Sequence, residues 1–465
     1  MKSFLFSILF CIASQIQTQA QFLWEKQYDF GYPAQTYSAV ETPEHDFLVM
    51  GKAYTSDDHR IMLMKIAPDG GLLWEKRFEG SVNEHSQLIT RTSDDNYMLT
   101  GFLSFSIRLI KVDSSGTVIW SKSVGPGSTT GACVSATNDG GVVVLGRTTE
   151  IQGSDAIPHI SVVKVDAQGN VTWSKNLTQY QDLVGEAIHQ SSDGGYIIGG
   201  TEHPNSAAGG FLLKLKNDGA VSWLQKYTAP QKNYFEFAAP TSDGDYVLCG
   251  IENSIQNTTP NSPDAYIVRT DLYGGFIDFY TAGEPQYVEK ANHVFQNEDN
   301  KFILAGQTDE PAGDQNMLLA VLDNEGNMIQ KCVFGSEKIE TGRSALHASD
   351  GSILVTGYAY NTQASYPYLV KTNMLCLTPT MTAIPANMEL SVYPNPADDI
   401  IYFELPEGAD ADYRVRVEDA LGRILFIAEL LPGKNQFDIA YCQSGIYYYS
   451  VFRKNERVGV GKFVR

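Results

Sequence analysis

The stretch SSDGGYIIGGTEH, residues 191–203, consists of a polar turn, a short apolar run and a closing glycine, Gly200. Asp and Gly in the turn are typical of a tight hairpin connection. The glycines lead into an apolar, strand-like segment rather than a helix, so the stretch lacks the helix N-terminus that a phosphate-binding loop uses. We therefore expect a turn and a buried strand whose role is geometric.

The same pattern recurs along the chain at intervals of about 50 residues. A second strand–turn–strand segment follows each apolar run, as in LIKVDSSGTVIWSK at residues 109–122. Four short strands in a repeat of this length are typical of a β-propeller blade. The sequence thus predicts an all-β protein with a seven-bladed propeller over residues 21–376. The closing glycines that define the blades are Gly51, Gly101, Gly146, Gly200, Gly250, Gly306 and Gly357.

A tryptophan column indicates how the ring closes. The last strands of the first four repeats contain Trp74, Trp120, Trp173 and Trp223. The seventh repeat lacks this strand, whereas the N-terminal segment QFLWEKQYDF (residues 21–30) has Trp24 at the matching position. We expect this segment to supply the outer strand of the last blade and so remove an open edge. Asp278 and Gln330 occupy the tryptophan position in the other two blades.

The spacing of these tryptophans resembles the docking motif of pyrroloquinoline-quinone dehydrogenase propellers. Their expected role here is packing between blades, because the sequence has no calcium-binding or quinone-stacking constellation, and we predict no cofactor and no metal. A lysine column runs beside them, and we interpret it as solvation of strand edges. It consists of Lys65, Lys111, Lys164, Lys214 and Lys371.

The first 20 residues have the form of a secretory signal peptide. An apolar run from Phe4 to Ala13 follows a single lysine, and Thr18 and Ala20 are small enough for a signal peptidase site. The run is too short for a stable membrane anchor, so we expect an exported protein with no transmembrane anchor. Five cysteines remain after the signal peptide is removed, and none are in CxxC spacing. This pattern disfavours a disulfide scaffold or a zinc site, and a single disulfide bond is left as an open alternative.

The formal net charge of −20 disfavours nucleic acid and anionic membranes as partners. In an exported protein such acidity is typically a solubility feature. We expect a monomer.

The composition changes after the propeller. A Pro/Thr-rich linker is predicted at residues 377–388, followed by alternating strands and turns over 389–465 that predict a small antiparallel sandwich. The motif residues of this segment are Tyr393, Pro394, Asn395, Pro396, Gly422, Gly445, Tyr447 and Lys462. Their order and terminal position resemble the type A C-terminal sorting domain of the type IX secretion system.

The resemblance implies an Ig-like sandwich that binds the type IX translocon and sortase. It also implies a protein that is secreted or displayed on the cell surface after the domain has been removed. Whether the product is released or attached is left open. An ordinary terminal sandwich without a sorting role is the alternative.

Ligand recognition is expected on the propeller face formed by the variable loops, because the opposite face consists of near-identical Asp/Gly turns. Aromatic side chains beside charges would suit a sugar or a peptide. The alternative is that the aromatics cover the blades and the charges are solvated. The candidate ligand-binding residues are Tyr180, Glu186, Tyr234, Glu236, Tyr287, Arg343 and Tyr360.

Three functions are consistent with the sequence. A binding or interaction module on a glycan or protein ligand is favoured, because no catalytic residue set is evident: no HExxH, GxSxG or Walker loop occurs. A secreted propeller enzyme acting on glycans, or a quinoprotein-like one, is the second. A purely structural surface protein is the third.

Overall fold

A computed structural model of the chain is built from β-strands and turns. Two compact units are present, Phe22–Thr382 and Ala383–Arg465. The predicted signal peptide and linker lie outside the described residues. The structure describes residues 23–374 and 391–465, apart from 55–58, 83–86, 126–128, 153–154, 181–182, 203–208, 228–232, 253–263, 284–286, 311–314, 336–337, 363, 406–412, 420–423 and 454–455.

The first strand, β1 (Trp24–Gln27), belongs to a sheet that the end of the propeller completes. The next three sheets follow in chain order, each with four antiparallel strands. Blade 1 contains β2 (Ala34–Glu41), β3 (Phe47–Tyr54), β4 (His59–Ile66) and β5 (Leu72–Phe78). Blade 2 contains β6 (Ile89–Arg91), β7 (Tyr97–Leu103), β8 (Ser106–Val112) and β9 (Val118–Val124). Blade 3 contains β10 (Thr129–Ala136), β11 (Val142–Gln152), β12 (Asp155–Val165) and β13 (Val171–Asn176).

The following three sheets repeat this order. Blade 4 contains β14 (Leu183–Gln190), β15 (Tyr196–Glu202), β16 (Gly210–Leu215) and β17 (Val221–Tyr227). Blade 5 contains β18 (Asn233–Pro240), β19 (Tyr246–Glu252), β20 (Asp264–Thr270) and β21 (Phe276–Ala282). Blade 6 contains β22 (Glu289–Gln296), β23 (Phe302–Thr308), β24 (Asn316–Leu322) and β25 (Met328–Phe334).

Blade 7 joins the two ends of the propeller. It contains β26 (Ile339–His347), β27 (Ile353–Tyr360) and β28 (Ser365–Thr372), with β1 as the outer strand. β1 pairs antiparallel with β28 and places Trp24 opposite Lys371. The seven-bladed architecture and its closure by the N-terminal strand are therefore confirmed. The first strand of each blade, called the inner strand below, contacts the inner strand of the next blade all the way round.

In six of the seven blades, the closing glycine of the second strand lies opposite a bulge in the described part of the inner strand. In blade 4 the register of β14 shifts between Gly185 and Ala187, opposite Gly200. A Cβ at Gly200 would lie 2.0 Å from the carbonyl oxygen of Val184. Only glycine fits so close to a backbone. The same contact occurs at 1.8 or 1.9 Å for Gly51, Gly250, Gly306 and Gly357.

The tryptophan column packs between blades, as predicted. A Cβ on Gly116, in the last turn of blade 2, would lie 2.7 Å from the Trp74 ring of blade 1. Blade 5 has Asp278 at the tryptophan position, and there Tyr280 packs on Gly326 of blade 6 instead.

The interpretation of the lysine column as solvated strand edges is wrong. Lys111, Lys164 and Lys371 are 3%, 3% and 1% exposed. Their ammonium groups lie 2.7–2.8 Å from carboxylates in the first turn of the same blade. The turn aspartate also accepts backbone N–H groups, so one carboxylate holds both the turn and the lysine. The paired aspartates are Asp94, Asp139 and Asp350.

These contacts hold the aspartates ionised. Burial alone would raise the pKa of Asp139, but hydrogen bonds from Lys164, Thr137 and Gly141 outweigh it and lower the pKa to about 2. The pKa of Asp350 is also below its usual value, because Lys371 and Ser352 outweigh its burial. A depressed carboxyl pKa stabilises the fold above the unfolded-state pKa, and this stabilisation is lost as the pH falls through the folded-state pKa.

The smaller unit consists of two antiparallel sheets. One contains β29 (Ser391–Tyr393), β30 (Ile400–Leu405) and β33 (Gly433–Asp438). The other contains β32 (Ile424–Leu430), β31 (Tyr413–Asp419), β34 (Ile446–Arg453) and β35 (Glu456–Val464). Phe403, Val415 and Phe463 belong to a core that both sheets share. The structure thus has the expected small β domain, and its Ig-like classification stays a prediction.

Three cysteines, Cys133, Cys249 and Cys442, are buried free thiols, whereas Cys332 is disulfide-bonded. The sequence left open whether the chain contains a disulfide bond, and the structure has one at Cys332.

We predict that Gly200→Ala lowers the free energy of unfolding by about 2 kcal/mol or more, because the new Cβ overlaps the Val184 carbonyl. The control is Gly194→Asn in the preceding turn. Gly194 has φ +79° and open space around its Cβ, and Asn300 adopts φ 60° at the same turn position of blade 6. This variant should lose less than about 1 kcal/mol. Urea unfolding measures both, and equal losses would contradict the bulge explanation.

We also predict that Asp350→Asn costs about 3 kcal/mol, because it keeps the turn but leaves the Lys371 ammonium buried without its counter-ion. Adding Lys371→Met should recover part of that loss. Asp95→Asn is the matched control, since the Arg91–Asp95 pair is 41% and 66% exposed, and it should cost less than about 0.5 kcal/mol. A double variant as unstable as Asp350→Asn alone would contradict the prediction.

Candidate functional site at the mouth of the propeller ring

The described bulges place one extra residue in the inner strands of six blades, all except blade 2. The register shifts bracket Tyr37, Glu186, Glu236, Asn292 and Arg343. Each lies in the first half of its strand, at the end joined to the variable loops. Because the inner strands form a closed ring, these residues lie at the same level around it; we call them the mouth residues.

Contacts on one side of the mouth link blades 5, 6 and 7. Glu236 forms an ion pair with Lys290 of blade 6, with Oε1 2.6 Å from Nζ. Asn292 donates from Nδ2 to the Gly342 carbonyl at 2.7 Å. The Glu236 side chain is 30% exposed and Lys290 is 24% exposed, so this pair is within reach of a ligand.

An arginine and two tyrosine rings lie next to this group, where blade 7 meets blade 1. Arg343 donates from Nη2 to the Tyr358 hydroxyl at 3.0 Å. Its guanidinium carbon lies 5.5 Å from the Tyr358 ring centroid and 6.0 Å from that of Tyr37, in blade 1. Tyr37 is fixed in turn, since its hydroxyl donates to Gln35 at 2.5 Å. Aromatic faces and guanidinium donors together suit hydroxylated or anionic ligands.

Below the mouth, side chains of the inner strands fill the ring. Phe237 lies between two histidines, with ring centroids 5.5 Å from His189 and 4.3 Å from His293. Gln87 of blade 2 approaches His189 of blade 4, with Nε2 3.4 Å from Nδ1. Burial lowers the pKa of His189 to about 4 and that of His293 to about 3. The histidines are therefore neutral at pH 7, and the mouth has an uncharged, largely aromatic floor.

The structure brings together only part of the predicted ligand set. Glu186, Glu236 and Arg343 are mouth residues. Tyr180 packs against the core of blades 3 and 4, and Tyr234 is half-buried beside Glu236.

The last two tyrosines of the set lie elsewhere. Tyr287 lies under Lys331, whose Nζ is 5.5 Å from the ring centroid, within a network in which Lys331 also contacts buried Glu289 at 2.8 Å. Tyr360 is 43% exposed at the end of β27. Neither contacts a mouth residue in the described contacts.

Sequence reasoning missed Tyr37, Asn292, Lys290 and Tyr358. A signal was available for the first two, because every mouth residue stands at one fixed offset before its closing glycine, as Glu186 does before Gly200 and Asn292 before Gly306. Within the described ranges, no three His, Cys, Asp or Glu side chains cluster in a way that would hold a metal.

The sorting-motif residues also come together. Asn395 accepts a hydrogen bond from the Val464 N–H at 3.0 Å, and its amide donates to the Lys462 carbonyl at 3.4 Å. The Tyr447 ring stacks on Phe463 with centroids 5.4 Å apart. Gly445 and Arg465 exchange two backbone hydrogen bonds, of 2.8 and 2.9 Å.

Pro394 and Pro396 both follow cis peptide bonds. Gly422 lies outside the described residues. The contacts of Asn395 and Tyr447 described above place both residues along the last strand, β35, although they are far apart in the sequence.

Comparison with protein families agrees with this arrangement. Residues 391–464 match the family described as the secretion system C-terminal sorting domain. The type IX secretion system thus exports the chain to the cell surface or the extracellular space. No helix in the described part of the chain is long and apolar enough to cross a membrane. The curated proteins contain no match to the chain.

Solved structures show similarity of fold alone. A puromycin hydrolase variant is 13% identical with a TM-score of 0.50, and the alignment covers 81% of this chain and 59% of that one. A polysaccharide lyase is 12% identical with a TM-score of 0.46, covering 78% of this chain and 94% of the lyase. A protein of unknown function from Dyadobacter fermentans is 11% identical with a TM-score of 0.44, over 76% and 99% of the two chains.

We predict that the stability of the protein falls as the pH is lowered from about 7 to about 4. The unfolded chain binds protons at histidine below about pH 6.5, whereas folded His189 and His293 resist protonation until about pH 4 and 3. His293→Phe should reduce this pH dependence, because phenylalanine fits beside Phe237 and does not titrate.

Denaturant unfolding at several pH values measures the slope. Phe295→Leu, at a ring 6.1 Å from His293, is the control and should change stability equally at every pH. An unchanged slope in His293→Phe would contradict the assignment.

Proposed function

Because the chain is exported to the cell surface or beyond, we propose that its propeller is a binding module that takes an extracellular ligand at the mouth of the ring. The observation that carries this proposal is the repeated bulge, which presents tyrosine, glutamate, asparagine or arginine from five of the inner strands around one opening. Varied side chains on an otherwise repeated frame are typical of a recognition surface.

The mouth residues favour a glycan or a peptide as ligand. Tyr358, which is half-buried, provides an aromatic face for a sugar ring or an apolar side chain, and fully buried Tyr37 supports it from behind with an edge contact. Arg343 provides donors for hydroxyl or carboxylate oxygens. The carboxylates of Glu186 and Glu236 accept hydrogen bonds from hydroxyl or amino groups. The remaining tyrosines of the predicted set stay candidate contacts around the mouth, and Tyr360 at the end of β27 is the one that is exposed; the others are Tyr180, Tyr234 and Tyr287.

A glycan-cleaving enzyme and a purely structural surface protein are the other candidates. Glycoside hydrolysis uses two carboxyl groups, one as acid and one as base or nucleophile. Glu236 is instead held by the Lys290 ammonium, an arrangement that suits binding better than proton transfer.

We predict that the purified exported chain binds selected members of a glycan and peptide array. Arg343→Ala and Glu236→Gln should each weaken that binding by about tenfold or more, since both remove charged hydrogen-bonding groups from the mouth. Arg77→Ala is the matched control, because Arg77 also lies over an aromatic ring, that of Tyr32 at 4.8 Å, on the outer strand of blade 1. It should leave affinity unchanged.

Thermal unfolding of each variant separates lost binding from lost folding. Turnover of an array polysaccharide would favour the enzyme. Absence of both binding and turnover would favour the structural protein. Equal weakening by Arg77→Ala would place the ligand away from the mouth.

A further inference from the structure

The outer strand of each blade is an edge strand, and such strands need protection. An edge presents unpaired N–H and C=O groups to which another strand can add, and natural proteins commonly block this with lysine. Lysines are present on six of the seven outer strands that the structure describes. They are Lys26, Lys76, Lys122, Lys175, Lys226 and Lys331. On β25 the lysine is 12% exposed and paired with Glu289 and Glu310.

The exception is β21 of blade 5, with the sequence FIDFYTA and no lysine or arginine. Phe276, Ile277 and Phe279 on this strand are 57%, 45% and 51% exposed. The Phe276 and Phe279 rings lie 6.4 Å apart and form one apolar surface. An edge that is both apolar and free of cations is open to strand addition.

The turn that leads into β21 extends this surface. Its tip consists of Leu272 and Tyr273, which are 46% and 70% exposed. The equivalent tips of blades 1 to 4 and blade 6 each contain a polar residue, at Asp69, Ser115, Gln168, Asp218 and Glu325. In blade 5 this turn therefore departs from the polar Asp/Gly turns of the same face. We call Leu272, Tyr273, Phe276, Ile277 and Phe279 the blade-5 edge.

We propose that the blade-5 edge is a docking site for an extended strand of a partner protein, which adds to β21 by backbone hydrogen bonding. The partner strand contains apolar residues that pack on the blade-5 edge and a lysine or arginine opposite Asp278. This site is separate from the ligand site at the mouth.

The charge of β21 decides between possible occupants. Asp278 is its one charged residue and is exposed; its Oδ1 accepts the Phe279 N–H at 2.8 Å, and Oδ2 is left to face an added strand. Asp278 lies opposite Arg269 in the ladder, but the Arg269 guanidinium is directed to Asp243 at 3.3 Å and to the Asn324 carbonyl at 3.2 Å. A cation on an added strand would therefore face a carboxylate. A second copy of this chain fits less well, because its own β21 offers no cation and both copies have a net charge of −20.

The loss of the tryptophan in blade 5 is consistent with this role. Tyr280 has taken over the packing on Gly326, so position 278 is not needed to hold blade 6. The side chain there can serve recognition without loss of blade packing.

The test is selection from a phage-displayed library of nine-residue peptides on the intact chain. We expect enriched peptides to alternate apolar and other residues, with a central lysine or arginine. Ile277→Lys should weaken their binding by about tenfold or more, because it restores the edge protection of the other blades. Ile119→Lys is the matched control: Ile119 is the corresponding residue of blade 2 and is 49% exposed. It should leave binding unchanged.

Replacing the central cation of an enriched peptide by glutamate should also weaken binding by about tenfold or more. Three results would overturn the proposal: no enrichment, equal binding to Ile277→Lys, or enriched peptides without a cation. Sedimentation velocity adds a fourth, because dimers lost in Ile277→Lys would identify a second copy as the occupant. Array binding at the mouth is unaffected by Ile277→Lys, so the two sites are tested independently.

Discussion

The contact on which the propeller depends is the approach of an inner-strand carbonyl to the closing glycine of the neighbouring strand. The Val184 oxygen occupies the space where a Cβ of residue 200 would lie. That approach exists because the inner strand bulges by one residue, and the bulge sets the extra residue at the ring's mouth. One steric constraint thus explains both the recurrence of the closing glycine in the repeats and the position of the variable residues at the mouth.

Two further contacts turn the repeats into a rigid frame. Within five of the blades, a lysine ties the third strand to the first turn, and in blade 5 Arg269 makes the corresponding contact with Asp243. Between six pairs of neighbouring blades, an aromatic ring lies on the glycine of the following turn, and blade 6 has Gln330 in its place. Both contacts use the face of short turns, and neither involves the mouth. The frame can therefore tolerate different side chains at the bulge, and blade 5 can exchange tryptophan for aspartate where Tyr280 replaces its packing.

Much of the fold could be predicted because its signals are local. Glycine-terminated apolar runs defined the blades, and Trp24 identified the closing strand. The lysine column was misjudged because burial of Lys371 depends on a carboxylate 21 positions earlier in the chain, which is brought near only when the hairpins stack.

The site was predicted in part for a similar reason. Glu186, Glu236 and Arg343 were found by their place near the strand starts. Asn292 and Tyr37 were missed because a bulge is a feature of pairing between strands rather than of composition. The tyrosines were selected by residue type alone, which does not determine where an aromatic ring packs.

The pairing of β1 with β28 gives one sheet both ends of the propeller's chain. Closure of the ring therefore requires that β1 remains part of the polypeptide. Proteolytic removal of Trp24–Gln27 would leave blade 7 without its outer strand and expose the backbone of β28. It would also expose the Lys371 side chain, which pairs with Trp24 in the ladder. Removal of β1 would thus expose a strand edge on blade 7 to which another strand could add.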